Sequence, residues 1–228
     1  MSLRVPRRRM VRTLLCYGDS NTWGHNPLDM TRLPYEVRWP TVLQKRLGSQ
    51  YLVIPEGLNG RTTVFDDPLA PHRSGIAFLP MVLESHAPID LVILMLGTND
   101  VKSYFGASGE QSALGLRRLV MAVLGSEAGP EGRAPELLVV APVPLSPFDE
   151  QMLPHFAPEE EAIAKSQDLA SAYRPVAEEF GVSFFDAASV VPAAGIDGVH
   201  LDEKGHFKLG EALGNWVSEN CDLVHHRV

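Results

Sequence analysis

Five short apolar runs constrain the fold of this chain more than any other feature. They lie at residues 13–17, 51–54, 91–96, 137–141 and 182–185. Several are continuous rather than alternating, which is typical of strands buried on both faces of a parallel sheet. Longer amphipathic segments separate them, as the crossovers between parallel strands require. The pattern predicts an α/β fold in which a five-stranded parallel sheet carries helices on both faces.

Four of the separating segments have the apolar spacing and the end signals of helices. They are residues 39–47, 112–124, 159–180 and 203–217. A glycine follows each of the first three, as is common where a helix ends. Pro175 is expected to kink or divide the third helix, because proline lacks the N–H that an interior position donates. Asp202 is the expected N-cap of the fourth.

The composition predicts one soluble domain over residues 13–228, since 45% of the 228 residues are hydrophobic and 21% are charged. Residues 1–12 contain five arginines and are expected to form a basic, poorly ordered tail. The net charge of -8 argues against a nucleic-acid partner. Apolar stretches are too short to span a bilayer, which needs about 20 residues, so no membrane partner is expected.

The start of the chain also bears on where the protein acts. The apolar segment after the arginines is short and leads directly into Gly18-Asp19-Ser20, so signal-peptide cleavage there would destroy this motif. We therefore expect a cytoplasmic protein.

Cys16 and Cys221 are expected to be buried free thiols. The sequence has neither Cys-x-x-Cys nor His-Glu-x-x-His spacing, so it predicts no metal.

Ser20 is the candidate nucleophile, because Gly18-Asp19-Ser20 directly follows the first apolar run. Ligands of doubly wound sheets bind at the carboxyl ends of the strands, where a tight turn would present this hydroxyl. A lone motif of this kind is more often a turn in which Asp and Ser cap a helix. The assignment therefore depends on companion residues. Asp19 itself is expected to brace the loop rather than to take part in chemistry.

Candidate companions follow other strands at the same predicted edge. A serine hydroxyl needs a neighbouring base, and His200, just before the last helix, can take its proton. Asp197 lies three residues earlier and can reach the other imidazole nitrogen. From there it would fix the tautomer and stabilise the imidazolium that forms. His206 competes for the role of base, but its position inside the predicted helix indicates a packed or surface histidine.

Acyl transfer also needs fixed donors for the negative charge that develops on the carbonyl oxygen. The candidates are the backbone N–H groups of Ser20 and Gly60 and the side-chain amide of Asn99. Glycine at position 60 permits the unusual dihedral angles that such a donor can require. Simpler roles remain open, since Gly60 could be only a turn glycine and Asn99 could cap the helix after the third strand. Asp100 could do the same and is interpreted as structural.

Together these blocks resemble the SGNH hydrolases, the GDSL-type esterase superfamily. The matching blocks are Gly18-Asp19-Ser20, Gly60, Gly97-Thr98-Asn99-Asp100 and Asp197-Gly198-Val199-His200. They stand in the family order and span residues 18–200. The resemblance implies a flavodoxin-like three-layer α/β/α fold, a catalytic set of Ser20, Asp197 and His200, and no cofactor.

Flanking sequence is similar to the bacterial arylesterase and acyltransferase/perhydrolase branch of that superfamily. The similar segments are residues 16–24, 37–39, 56–63, 67–68, 78–80 and 95–100. The resemblance implies hydrolysis of short acyl and aryl esters through an acyl-enzyme, acyl transfer to alcohols or peroxide, and a homo-oligomer. It also places substrate binding near Asn21, Trp23 and His25. The chain departs from the branch at Asn21 and His25, so its acyl preference stays open.

Two alternatives to this function remain. One is a thioesterase or carbohydrate deacetylase that uses the same site, and the other is a non-catalytic module that binds a small ligand.

The proline-rich segment 142–158 follows the fourth strand and is expected to form a wall of the acyl pocket. Two arginines near the motifs, Arg38 and Arg61, are expected to form structural ion pairs. Their expected partners are Asp66, Asp67 and Glu56.

Overall fold

The structure, a computed structural model, describes residues 11–221. Its five strands are β1 (Arg12–Gly18), β2 (Tyr51–Gly57), β3 (Leu91–Met95), β4 (Glu136–Ala141) and β5 (Ser183–Asp186). All neighbouring pairs are parallel, and the strand order is β2-β1-β3-β4-β5. The predicted five-stranded parallel sheet is therefore confirmed. Arg12 belongs to β1 rather than to the tail, and residues 1–10 of the tail lie outside the described residues.

The helices are α1 (Ser20–Trp23), α2 (Trp39–Leu47), α3 (Gly75–His86), α4 (Gly109–Leu124), α5 (Leu153–Phe156), α6 (Glu159–Phe180) and α7 (Glu203–Asn220). α2 and α6 have the predicted bounds. α6 continues through Pro175 as one helix, so the proline does not divide it. Asp202 caps α7 by accepting a hydrogen bond from the N–H of Gly205 at 2.7 Å. None of the helices within residues 11–221 combines the length and apolarity needed to cross a membrane.

α3 is a helix that the sequence pattern did not predict. Pro80 lies inside it, and Ser74 at its N-cap position makes no side-chain capping bond. Its apolar residues also fall on both faces, since Leu79 is fully buried whereas Met81 is 60% exposed. The 3.6-residue periodicity that indicates an amphipathic helix is therefore blurred here.

Alternate residues of β1 point to opposite faces of the sheet and enter separate cores. Leu15 and Tyr17 belong to the core beneath α3, α4 and α6. Leu14 and Cys16 belong to the core beneath α2 and α7. Two helical layers thus enclose the sheet, which is the predicted three-layer architecture. Cys16 is a fully buried free thiol whose pKa is raised by burial, whereas Cys221 is only partly buried.

Two strand-end glycines let α1 lie directly on the sheet. A Cβ atom on Gly57 would lie 2.1 Å from the backbone nitrogen of Trp23, and one on Gly18 would lie 2.1 Å from Thr22 Oγ1. Because the Gly57 contact is with backbone, a side-chain rotation cannot relieve it. The absence of these two side chains therefore brings the start of α1 to the carboxyl end of β1.

The variant Gly57→Ala tests this close approach. We expect its free energy of unfolding to fall by about 1–3 kcal/mol, the usual cost of overpacking, because α1 must move away from β2. Gly125→Ala is the control, since its added Cβ would meet only the carbonyl oxygen of Met121, at 3.0 Å. Chemical denaturation measures both variants. Equal stability of the two variants would contradict the packing argument.

Candidate active site

Ser20 is the first residue of α1, and only Asp19 separates it from the end of β1. Asp19 caps this short helix, its Oδ1 accepting a hydrogen bond from the N–H of Asn21 at 2.9 Å. Asp19 therefore braces the loop, as predicted. Burial is the main cause that raises the pKa of Asp19 to about 6, and the Asn21 N–H bond and the His200 charge oppose it. As the first helical residue, Ser20 has no intrahelical acceptor for its own N–H.

A chain of hydrogen bonds joins Ser20, His200 and Asp197. Ser20 Oγ lies 3.0 Å from His200 Nε2, and His200 Nδ1 lies 2.6 Å from Asp197 Oδ2. The other carboxylate oxygen of Asp197 accepts the backbone N–H groups of Val199 and His200 at 3.0 and 2.8 Å. All three hydrogen-bonded residues are buried. The structure thus brings the three predicted catalytic residues together.

The electrostatics suit a proton relay through this chain. Burial acts to raise the pKa of Asp197, but the hydrogen bonds and charge of His200 and the Val199 N–H outweigh it and lower that pKa. An ionised Asp197 accepts a hydrogen bond from the Nδ1–H of His200, and this tautomer of the imidazole presents a bare Nε2 to the Ser20 hydroxyl. The arrangement can therefore remove the hydroxyl proton during attack and stabilise the imidazolium that results.

Gly60 and Asn99 line the same cavity as Ser20 and His200. Gly60 has a φ of +78°, a conformation that side-chain-bearing residues rarely adopt. Asn99 Nδ2 donates to the carbonyl oxygen of Arg61 at 3.1 Å, which orients its amide. An amide nitrogen carries two hydrogens, so a second donor remains on Asn99. The structure thus places the three predicted oxyanion donors, Ser20, Gly60 and Asn99, around one cavity.

Asp100 and Asn99 do not cap the helix that follows β3. That helix, α4, begins only at Gly109, and its cap is Ser108, whose hydroxyl accepts the N–H of Gln111. Asp100 is instead fully buried and accepts both the N–H of Thr63, at 2.8 Å, and the Thr63 hydroxyl. Burial raises the pKa of Asp100 to about 7 against these hydrogen bonds. Its role is structural, as predicted, but it fixes a neighbouring loop.

Asp100 should make stability depend on pH. Between its ordinary pKa of 3.8 and its folded value of about 7, the folded state keeps a proton that the unfolded state has released. The free energy of unfolding contributed by this group is therefore fully present below pH 3.8 and is lost as the pH rises through about 7. Asp100→Asn keeps both Thr63 contacts possible and should remove this loss.

Urea denaturation between about pH 4 and pH 8 measures the effect, as the difference between wild type and Asp100→Asn at each pH. We expect the variant to gain stability over the wild type as the pH rises. Glu110→Gln, at an exposed position in α4, is the control and should follow the wild type. Parallel curves for Asp100→Asn and wild type would contradict the assignment.

The cavity beside Ser20 has a volume of about 150 Å³. Met152, His155 and Phe156 form part of its wall, so the proline-rich segment does line it as predicted. A larger open groove of about 350 Å³ is lined by Phe65, Phe105 and other residues, and it includes none of the three relay residues.

His25 is the one predicted substrate-binding residue that lines the cavity. Its ring centroid lies 4.1 Å from that of His200, and the two planes are inclined by 36°. Burial, and secondarily the charge of His200, lowers the pKa of His25 to about 4. His25 is therefore neutral near pH 7. It lies against the ring of His200 and does not compete with it for the proton of the Ser20 hydroxyl.

Asn21 and Trp23 lie outside the cavity lining. Asn21 Oδ1 accepts the N–H of Leu201 at 2.9 Å, and its Nδ2 donates to the carbonyl oxygen of Val199 at 3.3 Å. Its amide therefore holds the segment that carries His200, and the residue does not line the cavity. The ring of Trp23 is covered by the guanidinium of Arg32, 4.7 Å from the ring centroid.

His25, Asp197 and His200 also place potential metal-ligand atoms within 4.8 Å of one another. However, His200 Nδ1 and Asp197 are already bonded to each other. The cluster therefore suits proton transfer better than metal binding.

The predicted partners of the two arginines were wrong. Arg61 donates to the backbone carbonyl oxygens of Gly18 and Glu56 and stacks on the ring of Tyr17 at 4.1 Å. Arg38 donates to the carbonyl oxygen of Leu33. Both arginines thus bind backbone oxygens rather than aspartates.

The interpretation of His206 as a packed helical residue is confirmed, because it is fully buried and accepts the Trp39 N–H at 3.2 Å.

A three-layer α/β/α fold with a Ser-His-Asp relay at the carboxyl edge of its parallel sheet defines a serine hydrolase. Residues 16–207 match the model of the GDSL-like lipase/acylhydrolase family, and the chain belongs to that family. It is therefore a carboxylic ester hydrolase.

Solved structures of similar proteins agree with this family. An aryl esterase from M. smegmatis is 42% identical, with a TM-score of 0.87 over 92% of this chain and 99% of that one. A carbohydrate acetylesterase from Sinorhizobium meliloti is also 42% identical, with a TM-score of 0.86 over 91% and 99% of the two chains. An acetylxylan esterase from Xylanibacter ruminicola is 27% identical over 225 residues, 93% of this chain, which spans only 44% of that protein.

Proposed function

We propose that this protein hydrolyses esters of short acyl groups, aryl esters among them, through an acyl-enzyme on Ser20. The observation that carries the proposal is the Ser20–His200–Asp197 hydrogen-bond chain beside a cavity that Gly60 and Asn99 also line. A module that only binds a ligand does not need these linked hydrogen bonds.

The geometry supports an ordinary acyl-transfer sequence. Ser20 Oγ attacks the ester carbonyl carbon while His200 Nε2 takes the hydroxyl proton. The carbonyl oxygen becomes negative and accepts hydrogen bonds from the N–H groups of Ser20 and Gly60 and from the Asn99 amide. The C–O bond to the alcohol or phenol then breaks, and His200 returns the proton to that oxygen. Water repeats the sequence and releases the carboxylic acid and free Ser20.

Cavity size supports a short acyl group. A volume of about 150 Å³ is comparable to that of an engineered protein cavity that holds one benzene molecule. Met152, Phe156 and Val199 give this cavity apolar walls that suit a small alkyl or aryl group.

Acyl transfer to alcohols or peroxide, a cytoplasmic location and self-association stay predictions from the sequence.

A second candidate is the deacetylation of carbohydrates. Asn59, Lys102 and His155 add polar side chains to the cavity lining. Such groups can hydrogen-bond the hydroxyls of a sugar, and one structural relative is described as a carbohydrate acetylesterase. The catalytic steps would be the same, so only the leaving group distinguishes the two candidates.

The variant Ser20→Ala tests the nucleophile. We expect kcat on p-nitrophenyl acetate to fall by more than about 10⁴-fold, as for other serine hydrolases that lose this hydroxyl. Circular dichroism should show an unchanged fold. Ser85→Ala, on the surface of α3, is the control and should keep full activity. Retained turnover in Ser20→Ala would defeat the assignment.

A series of p-nitrophenyl esters tests the size of the acyl site. We expect kcat/KM to be highest for acetate to butyrate and to fall at least about 10²-fold for octanoate, because the longer chain does not fit the walls. Met152→Ala should shift the optimum to longer chains. Acetylated xylose and acetyl-CoA, run in parallel, separate the alternative substrate classes. Equal kcat/KM for acetate and octanoate would contradict the short-acyl proposal.

A further inference from the structure

Two of the three oxyanion donors belong to loops rather than to strands or helices. Gly60 lies in the loop that follows β2, and Asn99 lies in the loop that follows β3. A misplacement of about 1 Å in such a group can cost about 10²-fold in rate. The contacts between the two loops therefore decide how well the donors converge.

One of these contacts is an ion pair at the edge of the catalytic cavity. Lys102 Nζ lies 3.0 Å from Asp67 Oδ2, and the two side chains are only 10% and 1% exposed. Asp67 belongs to the loop of Gly60, whereas Lys102 lies three residues after Asn99 and its N–H points to the Asn99 carbonyl oxygen at 3.4 Å. The pair therefore connects the two donor-bearing loops.

The ammonium group also lies beside Gly60. Lys102 lines the same cavity as Ser20, and its Nζ is 3.8 Å from the point where a Cβ of Gly60 would be. This places a positive charge beside one of the three predicted oxyanion donors. Charges that are already fixed before the reaction are the most effective stabilisers of such a transition state.

Asp67 is held in place by groups other than Lys102. Its Oδ1 accepts the N–H of Leu69 at 2.8 Å, and its Oδ2 accepts the hydroxyl of Tyr104 at 3.1 Å. Burial works to raise the pKa of Asp67, but the Leu69 and Lys102 hydrogen bonds outweigh it and lower that pKa. The carboxylate is thus a fixed, ionised anchor for the lysine.

Stability alone gives a weak reason for such a pair. Buried lysine is rare, and an ion pair taken out of water contributes little more than well-packed apolar residues of similar size would. The position of the pair, between the two donor-bearing loops and against the cavity, favours a role in placing the donors.

We propose that Lys102 is a positioning residue for the oxyanion hole, held by Asp67 so that Gly60 and Asn99 converge on the substrate carbonyl. The proposal rests on the proposed function, since it concerns the same reaction. Its effect belongs to the transition state, because the oxyanion exists only there. Loss of the pair should therefore lower kcat and leave KM nearly unchanged.

The test measures kcat and KM on phenyl acetate for Lys102→Met, Lys102→Arg and Asp67→Asn, with rates expressed per active site titrated by a fluorophosphonate. We expect kcat to fall about 10- to 100-fold in Lys102→Met and Asp67→Asn, while KM changes less than about threefold. Lys102→Arg retains the charge and should recover most of kcat. Lys165→Met is the matched control, since it loses a 2.7 Å ion pair to Glu161 on α6 and should keep wild-type kcat.

Active-site titration separates positioning from mere stability, because unfolded protein is not counted. If Lys102→Met fails to fold, the double variant Asp67→Leu/Lys102→Met replaces the pair by apolar residues and should fold with the same low kcat. Wild-type kcat in whichever of these variants folds, or a change confined to KM, would overturn the proposal. A change confined to KM would show that Lys102 binds the substrate instead.

Failure of the proposed function gives a different result. In that case Ser20→Ala would keep its turnover, and the fluorophosphonate would not titrate Ser20. If Ser20 is titrated and Lys102→Met keeps wild-type kcat, the esterase mechanism stands and only the role of Lys102 is refuted.

Discussion

The hydrogen bond between Ser20 and His200 joins two residues that are 180 positions apart in the chain. It can form only because the parallel sheet brings the carboxyl ends of its strands to one edge. Ser20 reaches that edge at the end of β1, where Gly18 and Gly57 allow α1 to lie against the sheet. His200 reaches it through a segment that Asn21 fixes with two hydrogen bonds. The fold therefore positions the nucleophile by packing α1 on the sheet, and the base by hydrogen bonds between its segment and α1.

Three of the buried aspartates at this edge, Asp19, Asp100 and Asp197, have different electrostatic environments. Asp197 is surrounded by donors, which outweigh its burial and lower its pKa, so it serves as the ionised partner of His200. Asp19 and Asp100 are more deeply buried, and their pKa values are raised to about 6 and about 7. Groups of the same chemical type thus divide into one charged member of the relay and two braces for loops. This separation of pKa values by environment is how active sites assign roles to identical groups.

Much of the fold and of the site follows from local sequence. Buried strands are continuous apolar runs, so their positions are visible without a structure, and the polar blocks after them identify Ser20, Gly60, Asn99, Asp197 and His200. Other features depend on contacts between distant segments and could not be predicted. The pairing of Asp67 with Lys102 requires two loops to meet, and the burial of the Asn21 amide requires the His200 segment to lie against α1. α3 was missed because Pro80 and apolar residues on both faces hide its periodicity.

Peptide-resolved mass spectrometry of the protein after reaction with a fluorophosphonate tests the central claim most directly. The account predicts one adduct per chain, located on Ser20, and a much slower reaction when His200 is replaced by alanine. Serine residues outside the cavity, such as Ser85, should stay unmodified. An adduct on another residue, or equally fast labelling of Ser20 without His200, would contradict the account.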